Sequence, residues 1–197
     1  CALHLASLLM RYAAFVGPRE SEASGFHSSI HPKCAAALAQ PPGLPPVSAA
    51  PSFGVFAEGF AMPMNTNAPF FCSLFPETDA PFGSMGNFFS LRPLRGTFHV
   101  NPPFDSVVMS RLGSHLLELL EESDEASNDR DKKNDDNAQN TTSSFAPDGL
   151  VFFIVMPHEW DESKVKGSLD ALLASKYCVA STSIAQDKCV YTGGIQH

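Results

Sequence analysis

The chain is poor in positive charge, with 13 Lys and Arg against 21 Asp and Glu, a formal net charge of −8. That balance argues against a strong, nonspecific grip on nucleic acid, which needs a basic surface. It does not exclude a nucleic-acid substrate, because the excess is local. Glu121, Glu122, Asp124, Glu125, Asp129, Asp131, Asp135 and Asp136 stand against only Arg130, Lys132 and Lys133, so this one run supplies most of the charge. Cysteines are few and scattered: Cys1, Cys34, Cys72, Cys178 and Cys189 form no Cys-x-x-Cys pair. This excludes a common zinc spacing and a disulfide framework, and reads as reduced intracellular thiols. The seven His show no metal spacing either, so no metal is expected. No apolar run reaches the roughly 18–20 residues of a membrane span. The stretch Cys1–Val16 is apolar but interrupted by Arg11, lacks a basic start and cleavage site, and reads as a buried helix.

Phe and Pro are abundant, sixteen of each against one Trp and three Tyr. Leu5, Leu8, Leu9, Tyr12 and Phe15 recur at helical spacing, and Gly17-Pro18 ends that helix. Pro32–Ala39 predicts a short second helix. Pro41-Pro42-Gly43-Leu44-Pro45-Pro46 is an extended loop. Strands are expected at Phe53–Phe60, Gly96–Val100 and Gly149–Met156, the last a continuous apolar run suited to an inner strand covered on both faces. Helices are expected at Ser106–Glu122 and Lys164–Ser175, the latter with Val165, Leu169, Leu172 and Leu173 inward. A short helix is possible at Ala68–Leu74, and short strands at Tyr177–Ser181 and Lys188–Tyr191. Strands alternating with helices imply an α/β sheet. Residues 1–52 form a helical lead-in with a Pro-rich loop, and residues 53–197 a core. An acidic, aliphatic-poor insertion at about 123–146 is expected to be disordered. Neither end carries a capping or tail signature, as in a piece of a longer protein.

The segment Asn101-Pro102-Pro103-Phe104 lies between a predicted strand and a predicted helix. Its residue types suit work on an exocyclic amine. An Asn oxygen and a prolyl carbonyl are acceptors for two N–H groups. Proline fixes φ and adds no competing donor. Phe104 offers a flat apolar face for a base. In open α/β sheets ligands gather at the carboxyl ends of the strands. Asn-Pro-Pro is equally ordinary turn chemistry. Glu58 could reach the amino or ribose groups of a cofactor or simply face solvent at a strand end. Gly83-Ser84-Met85-Gly86 reads as a turn. Trp160, the only Trp, is a stacking platform or a packing residue.

Phe75-Pro76-Glu77-Thr78-Asp79, Phe82-Gly83-Ser84-Met85-Gly86 and Gly96 through Phe104 resemble the core of the phosphorylated C-terminal-domain interacting factor family of cap-specific adenosine methyltransferases. Glu58 through Asn65, Phe153 through Trp160 and Gly193-Gly194-Ile195-Gln196-His197 fit the same pattern, so the resemblance covers about Phe53 to His197. It implies a Rossmann-like methyltransferase sheet with flanking helices, incomplete at both ends, and S-adenosylmethionine as methyl donor. It also implies N6-methylation of the cap-adjacent 2′-O-methyladenosine of mRNA, a nuclear place of action, and RNA polymerase II C-terminal-domain contacts through segments absent here. By this resemblance Asn101, Pro102, Pro103 and Phe104 are catalytic and cofactor-contacting. Glu58, Phe60 and Ala61 also meet the cofactor, and Ser106, Trp160, Asp161 and Glu162 meet the substrate. The chain departs from the family at Ser106, where an acidic residue is usual beside Asp105, at an inserted His158, and at Asp161-Glu162-Ser163-Lys164. The family's WW module and upstream cap contacts have no counterpart. Two other readings follow the same residues: a catalytically silent relative that binds RNA or a transcription partner, and an N6 methyltransferase of DNA or internal RNA adenines.

Overall fold

A computed structural model describes residues 2–16, 28–39, 56–134, 149–156, 163–184 and 191–193. The expected α/β class is what it shows: a four-stranded, all-parallel sheet with helices against it. Its strands are β2 (Ala57–Glu58), β3 (Phe70–Phe71), β4 (Gly96–Val100) and β5 (Leu150–Ile154), in the order β3-β2-β4-β5. A separate antiparallel pair joins β1 (Ser28–Ile30) to β6 (Tyr191–Gly193). The helices are α1 (Ala2–Val16), α2 (Pro32–Ala39), α3 (Pro76–Asp79), α4 (Ser106–Asn134) and α5 (Ser163–Leu173).

The sheet is held by more than its short strands. Beyond β2, the Gly59 amide donates to the His99 carbonyl at 2.8 Å, and the Ala61 amide to the Cys72 carbonyl at 2.9 Å. The chain therefore stays paired through the turn that follows Glu58. Period-two alternation sends Phe98 and Val100 to one face, where Met109, Leu112, Leu116 and Leu119 of α4 and Val165, Leu169 and Leu172 of α5 bury them. Thr97, His99 and Asn101 belong to the other face.

Several expectations change. The strand placed at Phe53–Phe60 is ladder-paired only at Ala57–Glu58, and residues 53–55 lie outside the described residues. The possible helix at Ala68–Leu74 is instead strand β3, because its Phe-rich run pairs with β2. Strand β5 has a neighbour on one side only among the described residues, and Val151 is 40% exposed. The unbroken apolar run brings neither full burial nor an inner place: of β5 only Leu150 is buried, and the inner places belong to β2 and β4. Leu173 is exposed, at the end of α5. Residues 177–181 are irregular, and of Lys188–Tyr191 only Tyr191 is described, as the start of β6. Helix α4 does not stop at Glu122 but runs 29 residues to Asn134, into the stretch expected to be disordered. It is tied down there: the Ser123 hydroxyl donates to the Leu94 carbonyl, and Lys176 and Tyr177 both reach the Asp124 carboxylate. Gly83, at φ +104°, makes the expected turn, and a side chain there would strike the Pro69 carbonyl.

The helix at the start of the chain is less buried than its apolar spacing implies. Only Leu8 and Tyr12 are covered, while Leu5 and Leu9 stay about half exposed. One narrow i, i+4 stripe docks on Met62, Phe75 and Phe82, which is all that the short α3 and its neighbouring turn can cover. The docking carries one strong polar contact, a 2.6 Å hydrogen bond from the Tyr12 hydroxyl to the fully buried Asp79 carboxylate. Burial raises the Asp79 pKa against the hydrogen bonds of Tyr12 and Ser73, which lower it. Tyr12→Phe should therefore cost about 1–3 kcal/mol at pH values where the Asp79 carboxyl is ionised, by stranding a buried charged acceptor. The raised folded pKa means that the native state holds this proton more tightly than the unfolded chain does. The penalty of Tyr12→Phe should then shrink as pH falls through that value and the carboxyl becomes neutral. Urea unfolding of both proteins across pH measures it, and a cost that does not change with pH would show that Asp79 is not the group involved.

Candidate functional site

In the sheet order, the chain leaves β2 for β3 on one side and then returns to β4 on the other. The crevice between the carboxyl ends of β2 and β4 is a topological switch point, the place where parallel α/β sheets bind ligands. Glu58 ends β2 and Asn101 follows β4, so both arrive at this crevice by strand register alone.

A shallow hollow there is lined by Glu58, Phe60, Ala61 and Asn101, together with Ser29, Asn65 and His99. A second hollow shares Glu58 and His99 and is closed by Ile30, Ala35 and Leu38 of the β1–α2 segment. Each encloses only about 10 Å³, far below the roughly 300–1,000 Å³ of a small-molecule site, so a ligand of that size would lie over them in the open crevice and not inside them.

Glu58 is not the solvent-facing strand end that one reading allowed. It is 4% exposed, with Oε1 3.5 Å from His99 Nδ1 and Oε2 accepting from the Asn67 amide at 3.1 Å. The loop after β2 produces that second bond: Asn65 Oδ1 accepts from the Met62 amide, closing a turn that returns Asn67 to the strand end. Phe60 packs its ring 5.0 Å from Phe88 and 5.8 Å from Phe89. The Arg111 guanidinium lies 4.5 Å over Phe89 in turn.

Asn101 presents a buried Oδ1 that no donor among the described residues reaches. A buried acceptor without a donor costs free energy, and one at the mouth of a crevice is a place for a ligand N–H. Pro102 is buried and Pro103 half-buried, whereas the Phe104 ring is 49% exposed and without an aromatic partner among the described residues. Asp105 is not a free carboxylate. Its Oδ1 accepts from the Val107 and Val108 amides at 2.9 and 3.1 Å, the N-cap of α4. It therefore fixes the exit angle of the Asn-Pro-Pro-Phe turn. Ser106, expected to meet substrate, is the first residue of α4. Trp160, Asp161 and Glu162 lie outside the described residues.

The structure thus gathers Glu58, Phe60, Ala61 and Asn101 into one place, while Phe104 follows three residues after Asn101 and lines neither hollow. It adds His99, Asn65 and Ser29, which the sequence reading missed. His99 was within reach of that reading, since it lies two residues before Asn101 on the same strand face. Ser29 and Asn65 carry no local signal; they arrive by tertiary folding. Among the described residues no cluster of His, Cys, Asp and Glu could hold a metal ion, and no helix is long and apolar enough to cross a membrane.

The fold defines an α/β protein whose parallel sheet opens a switch-point crevice beside an Asn-Pro-Pro-Phe turn. Residues 2–194 match the family model described as phosphorylated CTD interacting factor 1 WW domain, and the chain belongs to that family. Over 118 residues it is 37% identical to the Homo sapiens mRNA (2′-O-methyladenosine-N(6)-)-methyltransferase, covering 60% of this chain and 15% of that protein. Over 73 residues it is 47% identical to the Mus musculus protein of the same name, covering 37% of this chain and 10% of that protein. The chain matches only a small part of either relative's length.

Proposed function

We propose that this chain carries the catalytic crevice of an S-adenosylmethionine-dependent RNA methyltransferase with a Rossmann-like sheet. Its substrate is the N6 amine of adenosine, in the cap-adjacent 2′-O-methyladenosine of mRNA. The observation that carries the reading is the orphaned Asn101 Oδ1 at the switch point, with a half-exposed Phe104 three residues on. The similarity to two relatives named for that reaction supports it.

The residues present fit the methyl donor. S-adenosylmethionine has hydroxyl, amino and ammonium donors, and the crevice has buried acceptors on Asn101 and His99 that lack donors among the described residues. When bound, it supplies an electrophilic methyl group. Phe60, Ala61 and Asn101 are the residues that would hold it directly, with Glu58 anchored behind them. This chain's own task is positioning. The N6 lone pair is delocalised into the purine, and accepting hydrogen bonds from both N6 hydrogens holds the nitrogen in a more nucleophilic geometry. Asn101 Oδ1 takes one hydrogen and the Pro102 carbonyl, held by proline's fixed φ, takes the other. Phe104 stacks on the base and fixes its plane. Catalysis is then mainly proximity and orientation, and no general base is needed before methyl transfer. We place this activity in the nucleus, with RNA polymerase II C-terminal-domain contacts made by other segments.

Methyl transfer from labelled S-adenosylmethionine should be measured on capped, uncapped and DNA oligonucleotides bearing a first-position adenosine, using the longest protein that contains this chain. Transfer to N6 of the capped RNA, at least tenfold above the others, is expected. Equal transfer to all three would favour the DNA or internal-RNA reading. Binding of capped RNA without transfer would make the chain a silent relative.

A further inference from the structure

One buried group of the crevice takes no part in positioning the amine. His99 is 3% exposed, and its Nδ1 faces the Glu58 carboxylate, which is itself anchored by the Asn67 amide. A carboxylate at Nδ1 holds the proton there and leaves Nε2 as an acceptor. That Nε2 is buried and meets no donor among the described residues. His99 also lines both hollows, the one shared with Asn101 and the one closed by α2. Two unpartnered acceptors, His99 Nε2 and Asn101 Oδ1, therefore stand on the same strand face two residues apart. Their backbones are roughly 6.7 Å from each other, the scale of one nucleoside from base to sugar.

Building on the proposed function, we propose that His99 Nε2 is a nucleoside-binding acceptor that takes a ribose hydroxyl, with Glu58 as the positioning residue that holds its tautomer. This reassigns the direct contact that the sequence suggested for Glu58. Both of its carboxylate oxygens already face partners inside the protein, and His99 passes acceptor character on to the hollow. A hydroxyl suits the site better than a carboxylate or phosphate would, because the Glu58 carboxylate stands directly behind the imidazole and neither hollow is lined by a Lys or Arg.

The test uses the 197-residue chain and two probes, S-adenosylhomocysteine and an RNA oligonucleotide beginning with adenosine, titrated by calorimetry against wild type, His99→Phe and His99→Gln. His99→Phe should weaken one of the two probes roughly 10–100-fold, as loss of a buried hydrogen-bond partner does. Which probe weakens tells whether the hydroxyl belongs to the cofactor or to the substrate. His99→Gln keeps an acceptor near the Nε2 position and should recover most of the loss, with both variants checked for folding by circular dichroism. In wild type, nitrogen-15 spectra of the imidazole should show the Nδ1–H tautomer and a shift of Nε2 on adding the same probe, a response that a packing role would not produce. Unchanged affinities in a folded His99→Phe, or an Nε2 resonance blind to both probes, would overturn the assignment of His99 alone. A wild-type chain that binds neither probe would overturn the proposed function along with it.

Discussion

Asn101→Ala should lower the rate of methyl transfer by at least about 10²–10³-fold, the scale of losing one preorganised polar contact in an active site. Fold stability should stay within roughly 0.5 kcal/mol of wild type. The two halves of this expectation come from one observation. The side-chain oxygen of Asn101 has no donor among the described residues, so truncating it breaks no native hydrogen bond and even removes an unsatisfied buried acceptor. Pro102 and Asp105 continue to shape the turn, since the cap on α4 does not involve Asn101. A structural residue would show the opposite pattern, a loss of stability with activity falling in proportion. Single-turnover rates and thermal unfolding on the same preparation separate the two. Full turnover in a folded variant would remove the amine-positioning mechanism. A variant that unfolds would show that Asn101 serves the turn and not the ligand.

Gly113→Ala should destabilise the protein by about 2–3 kcal/mol, lowering the melting temperature by several degrees. Helix propensity alone predicts the reverse, because Ala is favoured over Gly in a helix interior by about 1 kcal/mol. Packing decides the sign. Gly113 lies where α4 crosses α5, and a methyl group there would overlap the backbone carbonyl of Ser168. The obstacle is backbone, so α5 must move as a whole, opening the layer of Leu112, Leu116, Val165, Leu169 and Leu172 that covers the sheet. For the same reason Ser168→Gly should not rescue Gly113→Ala. Chemical unfolding of the single and double variants reads this directly. A gain in stability for Gly113→Ala would mean that the two helices cross more loosely than this.

The link from these helices to the crevice is direct. Helix α4 begins at Ser106, immediately after the Asn-Pro-Pro-Phe turn and its Asp105 cap, and α5 holds α4 against β4. Separating α5 from α4 would therefore loosen the support of Asn101 without touching it. Some loss of activity in Gly113→Ala is expected to accompany, and not precede, its loss of stability.

Local chemistry alone determines a good deal of this protein. The 3.6-residue spacing of Leu112, Leu116 and Leu119 and of Val165, Leu169 and Leu172 marked the two covering helices and their inward faces. The strand Gly96–Val100 and the proline pair that stops it were legible as β4 and its turn. Such features are legible because each depends on residues a few places apart. Tertiary structure alone decided the rest, since it depends on which distant segments meet. It gave the centre of the sheet to the two-residue β2 and not to the long apolar run of β5. It carried α4 twelve residues past Glu122, because Leu94, Lys176 and Tyr177 supply partners that the acidic run lacks by itself. It turned Glu58 from an end-of-strand carboxylate into the anchor of His99, and brought Ser29 and Asn65 to Asn101. Propensity and periodicity are summed along the chain, but a ligand crevice is a juxtaposition across it, fixed by strand order and close packing.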